Sequence, residues 1–396
     1  MKRRTFVAAS AASLIAMPGL RPVWADPADL KTLEIGAKAP DFQLVGVDDK
    51  TYSLKDFASA KVLVLVFTCN HCPTAQAYES RLAALDRDYK GKGVAVVAIS
   101  PNDDQAVRLD ELGYTDVGDG FADMKIRAAE RKFAFPYLYD GDTQATAKAY
   151  GVLATPQVYV FDAERKLRYV GRFDDTEVAK RRAKGDISEA LQGDITDLES
   201  PAIKSPDTVN AVKALLAGKP VAVEKTRMFG CSTKWSDKRK DAVASLAKSD
   251  AEPVGLESID DAGVLKLAKN DTDQLLLVNL WASWCGPCVA EMPELVTMHR
   301  MYRGRKVKLV TISMDLADKR AEALKVLKDN HVSTSNYLLQ TEDRDKFAEA
   351  LDKDWPGPLP YTLLIAPGGK ILYRKVGAIE PIDVKRAIVA VIGRTY

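Results

Sequence analysis

The sequence predicts an α/β protein of two tandem domains, each a central mixed sheet flanked by helices. Three observations carry this. The same order of elements occurs twice: an apolar strand, a Cys-x-x-Cys pair, a helix, a second apolar strand, and later a Pro-led strand that turns into a hairpin. The chain has 396 residues, enough for two or three folding units at roughly 100–200 residues each. It is 46% apolar and 28% charged, a balance that excludes wholesale disorder and fibrous structure.

The first 25 residues stand apart from the fold. Lys2-Arg3-Arg4 is a positive start, Thr5 to Leu20 is uncharged and mostly apolar, and Val23 and Ala25 offer small residues for cleavage before Asp26. The stretch falls short of the ~20 residues of a spanning helix. Arg3-Arg4-Thr5-Phe6-Val7 resembles a twin-arginine export motif, and a retained anchor is the alternative. Cleavage takes Lys2, Arg3, Arg4 and Arg21 and no acid, turning a net charge of +2 into about −2. The expected product is periplasmic or otherwise exported, not an integral membrane protein, and has no basic excess to bind nucleic acid.

The elements follow in order. Lys61–Phe67 and Leu275–Leu280 are apolar runs of a length suited to strands buried on both faces. Each leads through its cysteine pair into a helix, Pro73–Tyr89 and Pro287–Tyr302. Val94–Ser100 and Val307–Ser313 are the second buried strands. Thr155–Phe161 and Leu359–Ile365 each start at an X-Pro step, turn near Lys166 or Lys370, and return in a hairpin strand ending at Gly171 or Gly377. Residues 173–204 are charge-rich and read as solvated helix and linker. Ser205 to Ala217 reads as a closing helix with Ser205 as N-cap and Pro206 in the first helical position. The expected organisation is a leader over 1–25, a first domain over 26–236, a linker over 237–249 and a second domain over 250–396.

The five cysteines are Cys69 and Cys72, Cys231, and Cys285 and Cys288. A two-residue spacing closes so small a loop that it constrains the unfolded chain little, so each pair reads as a switch rather than a strut. A four-sulfur zinc site is disfavoured, because the pairs fall in different domains and each opens a helix. No metal and no cofactor are expected.

Trp281-Ala-Ser-Trp284-Cys285-Gly286-Pro287-Cys288 resembles the active-site sequence of the thioredoxin superfamily, and its continuation through Glu291, Met292 and Pro293 resembles the exported TlpA-like branch. The segment Ile35–Phe42 is similar to the start of redoxins and peroxiredoxins. Phe67-Thr68-Cys69-Asn70-His71-Cys72-Pro73-Thr74 is similar to a peroxiredoxin active-site segment around Cys72. Peroxiredoxins carry Thr or Ser where this chain has Cys69, and that departure favours dithiol exchange over peroxide reduction. The resemblance implies two thioredoxin-fold domains, redoxin-like and TlpA-like, and an enzyme that exchanges dithiols and disulfides with protein partners. A peroxide-reducing antioxidant using Cys72, with Cys69 or Cys231 resolving, and a non-catalytic binding module stay open as alternatives, as does a membrane-bound electron donor.

The resemblance also implies roles. Cys69 and Cys285 attack, and Cys72 and Cys288 resolve. A thiolate at a helix N-terminus is stabilised by unpaired amides and the helix dipole. Pro156 and Pro360 occupy the cis-proline position, so that Thr155 and Leu359 present backbone to an extended substrate, with Trp284 completing the substrate-binding set. Glu291 is placed to take the proton of the resolving thiol, against the alternative of a solvated helix carboxylate. Asn279 stands where thioredoxin proper has a buried acid. The first domain has Leu63 and Ala75 at the places of Asn279 and Glu291, and so lacks both acids. It has His71 instead, expected to stabilise the thiolate and make that disulfide the stronger oxidant, so that electrons pass from the second dithiol to the first disulfide. The alternative for His71 is an exposed spacer. Cys231, in Phe229–Trp235, is a third redox thiol or a small buried side chain. His299 and His331 are expected on the surface.

Overall fold

The computed structural model describes residues 30–176, 203–341 and 343–394. The leader expected over 1–25, and residues 177–202 of the charge-rich stretch, lie outside them.

The first domain begins with β1 (Gln43–Gly46), β2 (Thr51–Ser53), β3 (Val62–Phe67), α1 (Pro73–Tyr89) and β4 (Val94–Ser100). It continues through α2 (Phe121–Glu130), β5 (Tyr137–Tyr139), α3 (Ala145–Tyr150), β6 (Ala154–Thr155), β7 (Gln157–Phe161), β8 (Leu167–Gly171), α4 (Asp207–Leu216) and β9 (Cys231–Ser232). Among the described residues the main sheet runs β2-β1-β5-β4-β3-β7-β8. Strand β3 is parallel to β4 and antiparallel to β7, so the sheet is mixed. All six residues of β3 are buried because helices cover both faces, which is why the run is continuously apolar.

The second domain repeats the plan. Helix α5 (Arg239–Asp250) leads to β10 (Glu257–Ile259), α6 (Asp261–Lys269), β11 (Leu275–Trp281), α7 (Gly286–Tyr302) and β12 (Val307–Ser313). Then come α8 (Arg320–Asp329), β13 (Ser335–Leu339), α9 (Arg344–Leu351), β14 (Tyr361–Ile365), β15 (Ile371–Val376) and α10 (Pro381–Ile392). Its sheet order is β10-β13-β12-β11-β14-β15, again with β11 parallel to β12 and antiparallel to β14. Two mixed sheets flanked by helices meet the expectation of two thioredoxin-fold domains. No helix among the described residues is long and apolar enough to cross a membrane.

Local details add to or correct the expectations. The span 237–249, expected as the linker, is mostly helix α5, with an exposed apolar face at Val243 and Leu246. Pro206, not Ser205, is the N-cap of α4, because the Ser205 hydroxyl turns to the Asp207 carboxylate instead of an amide. The histidines also divide: His331 is exposed, whereas His299 is half-buried and burial lowers its pKa to about 4.

The domains meet through the loop before α2. Tyr302, at the end of α7, donates to the Thr115 carbonyl at 2.6 Å, and Arg305 donates to the Gly113 carbonyl at 3.1 Å. Arg394 pairs with Asp116 at 2.6 Å, and Arg386 with Glu130. Leu109 and Leu112 of the first domain pack on the second domain's core. The loop that carries Asp119 is therefore held from both sides.

Candidate functional site

Two sites follow from the repeat, and they differ. In the second domain β11 ends at Trp281, and the chain turns through Ser283 and Trp284 into α7, whose N-cap is Cys285. Asp315, just past β12, accepts from the Ser283 amide at 2.9 Å and from its hydroxyl at 2.7 Å, and so fixes this turn. Cys285 and Cys288 form a disulfide with Cα atoms 5.3 Å apart. Cys285 retains 7% of its surface and Cys288 none, so a partner reaches only the first sulfur. Beside them lies a groove of about 450 Å³ lined by Trp284, Pro287, Trp355, Pro358 and Leu359. Trp284 is 69% exposed on its rim. The Leu359-Pro360 bond is cis, as is Thr155-Pro156 in the first domain.

Glu291 is buried one helical turn beyond Cys288, not solvated. Its two carboxylate oxygens accept from Asn279 Nδ2 and from the Ile379 amide, both at 2.9 Å. Burial outweighs these bonds and raises its pKa above the ordinary carboxylate value. With the folded pKa above the unfolded one, its contribution to stability is present at low pH and is lost as pH rises through the folded value. Glu291→Gln is expected to flatten that loss in a series of thermal melts from pH 4 upward and to slow disulfide exchange. Melts and rates that track the wild type at every pH would leave Glu291 with no proton-transfer role.

In the first domain the cysteine pair stands three residues nearer the strand: Cys69 follows Phe67 by two residues, whereas Cys285 follows Leu280, which holds the same register place, by five. Cys72, not Cys69, is the N-cap of α1, with Pro73 in the first turn. Both sulfurs are buried. Burial opposes ionisation of Cys72, but hydrogen bonds from the Cys231 and Cys69 thiols and the charge of His71 hold it well below the ordinary thiol value. Burial, the hydrogen bond to Cys72 and the nearby Asp119 charge push Cys69 well above it. The helix-start position that stabilises a thiolate thus belongs to Cys72 here, whereas in the second domain it belongs to Cys285, the first of its pair. As a thiol, Cys72 Sγ donates to the Thr155 carbonyl at 3.3 Å. Cys69 Sγ lies 3.2 Å from Thr155 Oγ1.

His71 is no exposed spacer. It is buried, with Nδ1 2.6 Å from Asp119 Oδ2. Asp119 also accepts from the amides of Asn70 and His71 at 2.9 and 3.0 Å, and from Asn102 at 2.7 Å. Burial alone would lower the imidazole pKa, but the carboxylate reverses this and raises it, while His71 holds Asp119 below its usual range. Counted from the helix start, Val66 and Tyr78 rather than Leu63 and Ala75 stand at the places of Asn279 and Glu291; neither is an acid, and the carboxylate beside this pair comes from a distant loop instead. Cys69, His71 and Asp119 bring donor atoms within 4.8 Å of one another, the set from which a metal ligand group could be drawn. The carboxylate there is already taken up by the imidazole, Asn102 and two amides.

Asp119 and Asp315 were missed in the sequence. Each follows the second strand of its domain and pins the turn that carries the cysteines, but they lie at different distances from that strand, so no spacing marks them as equivalent. The relay expected between the sites meets a geometric obstacle. The second domain touches the first at the C-terminal end of α7, and Cys285 caps its other end; 17 helical residues span about 25 Å. In this arrangement the second dithiol does not face the first.

Two stretches, 35–170 and 250–374, match the AhpC/TSA family. Among curated relatives, the chain is 30% identical over 96 residues to the thiol-disulfide oxidoreductase ResA of Oceanobacillus iheyensis, covering 24% of this chain and 46% of that one. It is 33% identical over 112 residues to a thiol:disulfide interchange protein DsbE homolog of Paracoccus denitrificans, covering 27% and 56%. The chain thus spans about half the length of these relatives. Among solved structures, a hypothetical protein of Sinorhizobium meliloti is 30% identical, with a TM-score of 0.42, covering 52% of this chain and 97% of that one. Matched along both of its repeats, the chain is a member of the AhpC/TSA family, within the thioredoxin superfamily.

Proposed function

We propose that this protein is an exported thiol–disulfide oxidoreductase that exchanges dithiols and disulfides with protein partners. The observation that carries this is the second site: a Cys285–Cys288 disulfide at a helix start, one sulfur accessible, beside an open groove edged by Trp284 and Leu359. An extended polypeptide fits such an edge by strand-like pairing, and a partner thiolate attacks Cys285 through a mixed disulfide. Curated relatives named as thiol-disulfide oxidoreductases support the same chemistry. At the first site Cys72 is the nucleophile and Cys69 resolves, with the His71–Asp119 pair stabilising the thiolate. A membrane-bound electron donor belongs to the same reading as a partner.

Peroxide reduction at Cys72 is the second reading, favoured by its place as helix N-cap with a lowered pKa. The two separate in one assay. With dithiothreitol as donor, the full chain is expected to reduce a disulfide-bonded protein catalytically and to consume hydroperoxide no faster than the donor alone. Rapid hydroperoxide turnover that depends on Cys72, with no reduction of protein disulfides, would replace the first reading by the second.

A further inference from the structure

The backbone edge that faces an open groove in the second domain is already occupied in the first. Strand β9 pairs antiparallel with β6, with Cys231 opposite Thr155, the residue that precedes Pro156. The approach is too close for any side chain at the preceding position. A Cβ at Gly230 would stand 2.1 Å from the Thr155 carbonyl oxygen. The segment is anchored beyond β9 as well. Trp235 is buried in the first domain's core, and the Lys234 amide donates to Asn102 Oδ1 at 2.9 Å. The same Asn102 donates to Asp119, so one chain of hydrogen bonds joins the segment to His71. Its result is that Cys231 packs against Cys69 and Cys72 and hydrogen-bonds to the Cys72 sulfur.

We infer that Cys231 is a third redox-active thiol, a partner built into the chain and seated on the Thr155 edge as a substrate strand would be, which links to Cys72. The inference rests on the reading of the first site as a thiol–disulfide exchanger. Starting from a Cys69–Cys72 disulfide, the Cys231 thiolate attacks Cys72 Sγ. The Cys72–Cys231 bond forms as the Cys69–Cys72 bond breaks, and the electron pair leaves on Cys69, which takes up the proton that Cys231 gave up. One disulfide replaces another, so no external oxidant or reductant is consumed. Cys72 is the common atom because both other thiols lie against it. In the Cys72–Cys231 state the segment is tied covalently over the site, and in the Cys69–Cys72 state it is held only by non-covalent contacts.

The test uses the full chain carrying Cys69→Ser, oxidised with one equivalent of diamide, alkylated, digested and mapped without reduction. The linked Cys72–Cys231 peptide is expected as the main first-site product, at least tenfold above its yield when the same oxidation is run in denaturant. In the Cys69-containing chain poised in a glutathione buffer, Cys69–Cys72 and Cys72–Cys231 peptides should both appear. Alkylated Cys231 with no link to Cys72, or equal yields folded and unfolded, would overturn the inference. Reduction of a disulfide-bonded protein by the unsubstituted chain is measured alongside. Turnover without the link ends the inference and leaves the proposed function standing. The link without turnover does the opposite.

Discussion

Cys285→Ser is expected to cut disulfide exchange at the second site by ~10³-fold or more, since it removes the attacking atom itself. Cys288→Ser should act differently, accumulating mixed disulfides with partners. The reason is positional. Cys285 caps α7 and keeps some surface beside the Trp284 groove, whereas Cys288 is wholly buried in the first turn and can reach only Cys285. Without the second thiol, the bond between Cys285 and a partner has nothing inside the site to break it. Non-reducing electrophoresis after incubation with a disulfide-bonded protein separates the two outcomes. Full exchange by Cys285→Ser, or trapping by Cys285→Ser and none by Cys288→Ser, would reverse the assignment.

Asp119→Ala is expected to cost about 3–5 kcal/mol, the range for removing one partner of a buried charged pair. The carboxylate accepts from the His71 imidazole, two backbone amides and Asn102, all buried, and its loss leaves these donors without an acceptor. The pair also sets a pH window. Asp119 has a lowered pKa, so its contribution is present above the ordinary carboxylate range and is lost as pH falls through the folded value. His71 has a raised pKa, so its contribution is present below the ordinary imidazole range and is lost as pH rises through the folded value. Denaturant melts of wild type and Asp119→Ala should therefore differ most between those limits and converge outside them. Asp119→Asn keeps the shape but not the charge. It should still raise the pH at which the Cys72 thiolate absorbs in the ultraviolet. A thiolate titration unchanged in Asp119→Asn would confine the pair to a structural role.

Much of the second site was legible because its parts are close in sequence. Cys285, Cys288 and Glu291 lie on one helix, and a strand followed by Cys-x-x-Cys and a helix start is enough to place them. The first site was less so. Its cysteine pair stands three residues nearer the strand, so the second cysteine rather than the first meets the helix start, and a shift of that kind within a loop leaves no periodicity to read.

What the sequence determined by itself is the repeat. Two pairs of apolar strands, two cysteine pairs and two Pro-led hairpins specify two mixed sheets, since local hydrophobic pattern and turn residues dictate elements and the elements can bury their faces in few ways. What only the tertiary structure decided is how each pair is surrounded. Asp119 reaches His71 from 48 residues away, and Cys231 reaches Cys72 by pairing with Thr155 across a still longer separation. Partners so distant are chosen by how loops pack over the sheet edge, and a buried charge or thiol takes its character from whatever that packing brings against it.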